Sequence, residues 1–103
     1  MTKGCCRENS KETKGILRLN EFLRIISDVN RLRILCLLTK GERCVCEIFE
    51  ALKLPQNLVS HHLAKLKKLL LVDERREGTF VVYSINRKAL KQYKALFNQI
   101  IRN

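Results

Sequence analysis

Residues 41–70 read GERCVCEIFEALKLPQNLVSHHLAKLKKLL. Ile48, Phe49 and Leu52 recur at helical spacing, which predicts a short helix over about 45–53. Pro55 disfavours helix at Leu54 and suits the first turn of a helix that follows. The helix predicted over about 56–70 carries Val59, Leu63, Leu66 and Leu70 on one face, and lysine, histidine and amide groups elsewhere. The pair Cys44 and Cys46 sits where a turn becomes the first of these helices.

Working outward, Leu19, Phe22, Leu23 and Ile26 predict a helix over about 16–26. Ser27 and Asp28 offer an N-cap for a next helix that runs to about Thr39, with Leu32, Leu35, Cys36 and Leu38 as its apolar stripe. Lys40-Gly41 stops it. Downstream, LVDERREGTFVVYSI changes period, and Gly78 turns two β-rich runs into a hairpin. A last helix over about 87–101 shows Leu90, Tyr93, Phe97 and Ile100. Residues 1–15 are polar and aperiodic and read as a flexible tail that carries Cys5 and Cys6. The expected organisation is therefore a tail over 1–15 and one domain over 16–103. The expected fold is mainly α with a β-hairpin wing, a winged helix-turn-helix. A small helical bundle with an incidental hairpin is the plainer alternative.

The net charge of +11, from 21 Lys+Arg against 10 Asp+Glu, favours a polyanionic partner: DNA, RNA or an anionic membrane surface. The longest apolar runs fall far short of a membrane span, and the N-terminus has no apolar signal-peptide core. A cytoplasmic protein is expected, with no membrane and no protein partner evident. In that compartment the five cysteines point to metal or redox chemistry rather than to a disulfide scaffold.

On a helical wheel, Asn57, His61, Ala64 and Lys68 oppose the apolar arc, with Ser60 and Lys65 beside them. Amides read adenine, hydroxyls read either base edge, and lysines hold phosphate. Gln56 and Asn57 lie at the N-terminal end, which usually meets base edges. Double-stranded DNA is the expected partner of this face. His62 lies nearer the apolar arc and reads as a half-buried histidine bonded to a neighbouring helix. Adjacent helical residues diverge, so His61 and His62 cannot share one ion. Arg75 and Arg76 in the hairpin wing reach phosphate or the minor groove, or belong to a solvated turn of mixed charge, since Asp73, Glu74 and Glu77 interleave.

Cys44 and Cys46 converge only where the backbone is extended. A helix N-terminus favours the thiolate. Two thiolates select soft ions: Zn(II), Cd(II), Pb(II), Cu(I), or trivalent arsenic and antimony. Two donors are too few for tight binding, and Cys5 and Cys6 are the candidates to complete the set. Cys36 reads as a small core residue. No nucleophile–base pair and no phosphate-cradling glycine loop is present, so no enzyme activity is expected.

The segments DVNRLRILCLL, ERCVCEIFEAL, LPQNLVSHHLAKL and REGTFVVYSI resemble the ArsR/SmtB metal-sensing repressors over residues 16 to 90. CVCEI resembles the thiol motif of arsenic- and cadmium-responsive members, and VSHHL the recognition-helix signature. The resemblance implies a homodimer packed through the first and last helices. It also implies a repressor bound to an inverted-repeat operator near its own promoter and released by metal. The family's thiolate ligands carry onto Cys44 and Cys46, and its DNA contacts onto Gln56, Asn57, Ser60 and His61. Some arsenic sensors have a third cysteine one turn later; here that residue is Phe49. Cadmium- and lead-type members use an N-terminal tail, which Cys5 and Cys6 match, although those tail cysteines are usually spaced. The last-helix zinc site needs His, Asp or Glu, and residues 87–103 have none. The expected inducer is As(III)/Sb(III), with Cd(II)/Pb(II) or Zn(II) at the same site as the alternative. A thiol redox sensor and a metal carrier without a DNA role are the competing classes.

Overall fold

The computed structural model describes residues 10–102; Cys5 and Cys6 lie outside them. The order is α1 (Ser10–Ile26), α2 (Val29–Thr39), β1 (Arg43–Cys44), α3 (Val45–Leu52), α4 (Gln56–Lys68), β2 (Val72–Glu77), β3 (Phe80–Ile85) and α5 (Arg87–Ile100). This is the expected helical frame with a hairpin, and a winged helix-turn-helix at its centre. No described helix is long and apolar enough to cross a membrane.

Several helix ends have a local cause. Asp28 is the N-cap of α2 and accepts from the backbone N–H groups of Asn30 and Arg31 at 2.9 and 3.1 Å, two donors that a helix start leaves without partners. Lys40 closes α2, and Gly41 follows at φ +139, where a side chain would be strained. Asn86 caps α5 through Ala89 N–H at 3.0 Å. Lys53 takes a left-handed conformation (φ 57, ψ 49), and its N–H bonds the Phe49 carbonyl, ending α3 two residues before Pro55.

The sheet has three antiparallel strands in the order β1-β3-β2. Val72 faces Ile85 and Glu77 faces Phe80 across the hairpin, with Gly78 at φ +63 in its turn. The short strand β1 was not expected; Arg43 pairs with Tyr83 and Cys44 with Val82. Two residues are too few to leave an alternation in the sequence.

The core is built from Ile34, Ile48, Val59, Leu63, Leu66 and Leu71, all at 0% exposure. Tyr93 of α5 stacks on Phe22 of α1 with ring centroids 4.4 Å apart, joining the two outer helices.

Four expectations need correction. Helix α1 begins at Ser10 rather than near Ile16, because residues before Ile16 dock on α5: a Cβ on Gly15 would lie 3.3 Å from Leu96 Cδ1. The buried stripe of α2 is Ile34 and Leu38, while Leu32 and Cys36 are exposed. That helix is apolar on nearly every side, so periodicity alone could not choose its inner face. Leu70 is not a core residue. Helix α4 ends at Lys68, and Leu70 takes φ 62 and turns outward at 64% exposure. Its neighbours Leu69 and Leu71 fill the core instead. Finally, Phe97 on α5 is 43% exposed rather than inward.

Candidate functional site

Helix α4 carries its polar face as the wheel predicts. Gln56, Asn57, Ser60, His61, Ala64 and Lys68 are exposed, and Lys65 is half-buried. Val59, His62, Leu63 and Leu66 form the buried side. Pro55 is the N-cap, and no side chain caps the helix start; the Leu58 and Val59 N–H groups bond the Pro55 carbonyl, which leaves those of Gln56 and Asn57 for an anion such as phosphate. Lys67 turns away from this face and pairs with Glu74 at 2.8 Å.

Besides its apolar face, a polar clamp holds α4. His62 is 5% exposed. Its Nδ1 accepts from Arg31 Nε at 3.0 Å, so the ring's proton sits on Nε2, which faces Asp28 Oδ1 at 4.0 Å. Arg31 Nη1 also donates to the Ile25 carbonyl at 3.0 Å. The exposed helix is thereby tied to the cap of α2 and the end of α1. Burial pushes the His62 pKa below its ordinary value, against the pull of Asp28. The backbone N–H of Arg31 holds the Asp28 carboxyl down. The expected bond from His62 to a neighbouring helix is present, but the ring is buried rather than half-buried. Its partners Asp28 and Arg31 were not identified from sequence, although Asp28 had already been read as a cap.

The thiol pair lies where extended backbone becomes helix. Cys44 ends β1 and is the N-cap of α3; its Sγ accepts from Glu47 N–H at 3.4 Å, and Glu47 Oε1 accepts from Cys44 N–H at 2.9 Å. This reciprocal pair is a capping box with sulfur in the usual hydroxyl position. Cys46 lies in the first helical turn. The two Cα atoms are 5.4 Å apart, and the sulfurs are joined in a disulfide. The pair therefore converges on one point, as two ligands of a soft ion must. Among the described residues no group of three or more His, Cys, Asp or Glu could hold a metal ion. Cys36, on the far face of α2, is an exposed free thiol.

Cys44 and Cys46 open onto a cleft of about 450 Å³ that also reaches Phe49, Gln56 and Ser60, and Phe80, Val81 and Tyr83 of the wing. One hollow thus joins the thiols, the start of α4 and the hairpin. At its polar end Tyr83 Oη donates to Glu74 at 3.2 Å. The Lys67 ammonium lowers the Glu74 pKa, and burial first, then Glu74, raises that of Tyr83.

In the wing, Arg75 is held by two carboxylates: Glu42 at 2.7 and 2.9 Å and Glu77 at 2.9 Å. These bonds raise the Arg75 pKa and lower that of Glu42. Arg75 is thus drawn away from the role of a free phosphate contact, while Arg76 is exposed at the turn. Glu42 was missed because its partner lies 33 residues along the chain.

Comparison with known proteins agrees with this geometry. Residues 28–74 match the family model described as bacterial regulatory protein, arsR family. The arsenical resistance operon repressor of Staphylococcus aureus is 36% identical over 85 residues, 82% of this chain and 75% of that protein. The cadmium resistance transcriptional regulatory protein CadC of Listeria innocua is 43% identical over 65 residues, 62% of this chain and 55% of that protein. Among solved structures, the homodimeric winged helix-turn-helix domain of a possible regulator from Mycobacterium bovis superposes with a TM-score of 0.67 at 29% identity, covering 93% of this chain and 86% of that one.

Proposed function

The chain belongs to the arsR family of bacterial regulatory proteins, and we propose that it is a thiol-controlled transcriptional repressor that binds an inverted-repeat operator as a homodimer. The observation that carries this reading is the shared cleft: Cys44, the cap of α3, and Cys46, in its first turn, line the same hollow as Gln56 and Ser60 of α4. Ligating the sulfurs alters the first turn of α3, where Cys44 is itself the cap. A ligand and DNA that favour different arrangements of one element oppose each other, with a coupling of about 1–3 kcal/mol.

Base reading is assigned to Gln56, Asn57, Ser60 and His61, and phosphate contact to Lys65, Lys68 and Arg76, with Arg75 available once Glu42 releases it. The inducer is As(III)/Sb(III), held by Cys44 and Cys46 with Cys5 or Cys6 as the third thiolate. Cd(II) or Pb(II) at the same site is the alternative. Two subunits pack through α1 and α5, which with the residue after α5 leave Leu17, Leu23, Phe97 and Ile101 exposed in the single chain, an apolar surface that a second copy covers. The similar homodimeric structure supports this assembly.

A second reading is favoured by the joined sulfurs of Cys44 and Cys46. A peroxide that takes two electrons and two protons from the thiols forms this disulfide and removes both ligands at once. Such a protein answers oxidant rather than ion.

Binding to the DNA upstream of the chain's own gene tests the repressor reading. Ser60→Ala and His61→Ala each weaken a symmetric site by about 1–3 kcal/mol per lost base contact and leave random DNA unaffected. Equal affinity of the wild type for both DNAs contradicts it.

A further inference from the structure

The first turns of α1 and the end of α5 bound a second cleft, of about 550 Å³, that shares no residue with the thiol cleft. Its apolar floor is Gly15, Leu96 and Ile100. The two helices approach closely there, since a Cβ on Gly15 would lie 3.3 Å from Leu96 Cδ1. The rim carries Lys11, Lys14, Arg18 and Arg102 against a single acid among the described residues, Glu12. The Arg18 guanidinium lies 5.6 Å from the centroid of the Tyr93 ring, which is itself stacked on Phe22, so an aromatic face holds it in place. Among the described residues no salt bridge engages Lys14, Arg18 or Arg102. At about 100° per residue, Arg18 lies about 140° around α1 from Leu23, and Gln99 of the cleft about 160° around α5 from Phe97. The cleft thus faces away from Leu23 and Phe97, which are assigned to the second copy.

An apolar floor under an excess of cations selects one class of ligand. A metal ion is repelled, a neutral hydrocarbon leaves the cations unanswered, and a bare inorganic anion leaves the floor wet. We propose that this cleft binds an amphipathic organic carboxylate, with the carboxylate on Arg18 and Lys14 and the apolar body on Leu96 and Ile100. A guanidinium meets a carboxylate with two parallel N–H donors, and the volume is that of a small-molecule site. The inference goes beyond the thiol-controlled reading, because the site uses neither sulfur and no residue of α4.

The test titrates the reduced full chain with octanoate and follows the methyl resonances of Leu96 and Ile100 by NMR. Octanoate is expected to shift both saturably and to bind at least about tenfold more tightly than butyrate, since the longer chain covers more of the floor. Octanol, octylammonium and inorganic phosphate are expected to bind more weakly than octanoate. Lys14→Gln combined with Arg18→Gln weakens octanoate about tenfold at unchanged circular dichroism, with each single variant intermediate. Lys65→Gln combined with Lys68→Gln, on α4, leaves octanoate binding unchanged. Octanol or octylammonium binding as tightly as octanoate, or a Lys14→Gln, Arg18→Gln protein that binds like the wild type, overturns the proposal. Phosphate binding as tightly as octanoate marks a plain anion site and overturns it too. Resonances that move with protein concentration and not with octanoate show that a second copy fills the cleft, which also overturns it.

Discussion

Arg31 donates from Nε to Nδ1 of His62 at 3.0 Å, joining the second helix to the buried side of α4, the helix with the exposed polar face. The bond requires a neutral imidazole. Burial lowers the His62 pKa from its ordinary 6.5, so on acidification the unfolded chain takes up the proton first. Stability from this group is complete above about pH 6.5 and is lost as pH falls from there through the folded value. Asp28, already held below its ordinary 3.8, stays ionised across that window. The thermal midpoint of the wild type is expected to fall between about pH 7.5 and pH 5.5, and His62→Gln to flatten the decline. Parallel melts of the two proteins check it.

The turn after α4 gives a contrast between neighbours. Leu70 is 64% exposed at φ 62, while Leu71 is fully buried. Leu71→Ala is expected to cost about 2–5 kcal/mol. Leu70→Gly, which suits the left-handed backbone, is expected to be neutral or to stabilise by up to about 1 kcal/mol. Urea denaturation of both variants distinguishes this arrangement from a core Leu70.

That contrast also marks what the sequence could carry. Helices α2 to α5, the hairpin and the Asp28 cap were legible because apolar spacing, capping residues and turn glycines are local signals. Leu70 was misread because the spacing Val59, Leu63, Leu66, Leu70 continues past the point where the chain leaves the helix. The Arg75–Glu42 pair and the Arg31–His62 bond each join residues more than 30 positions apart, and no local pattern encodes such a meeting. The polar face of α4 was fully legible. The thiol pair was legible as a pair, but its role as the cap of α3 and its share in the wing cleft were not, since both depend on β1 joining the sheet.

The wing predicts an effect on DNA rather than on folding. Glu42→Gln removes a carboxylate that holds Arg75. The guanidinium, then held by Glu77 alone, is expected to strengthen operator binding severalfold and to steepen the salt dependence by up to about one unit of slope. Adding Arg75→Ala abolishes the gain. Anisotropy across a salt series reads both.

Sulfur capping predicts a clean separation of stability from sensing. Ser is a favoured N-cap, so Cys44→Ser retains the bond from Glu47 N–H and is expected to change stability by less than about 0.5 kcal/mol. The same variant loses one of the two converging sulfurs and with it the ion response. Chemical denaturation and metal titration of one sample check the two halves.

The most direct test of the central claim is fluorescence anisotropy of the reduced protein on DNA from upstream of its own gene. As(III), Cd(II), Pb(II) and Zn(II) are added separately, with Cys46→Ser alongside. The account predicts that one thiophilic ion, As(III) foremost, releases the wild type and leaves the variant bound. A wild type that binds this DNA and is released by none of the ions contradicts it.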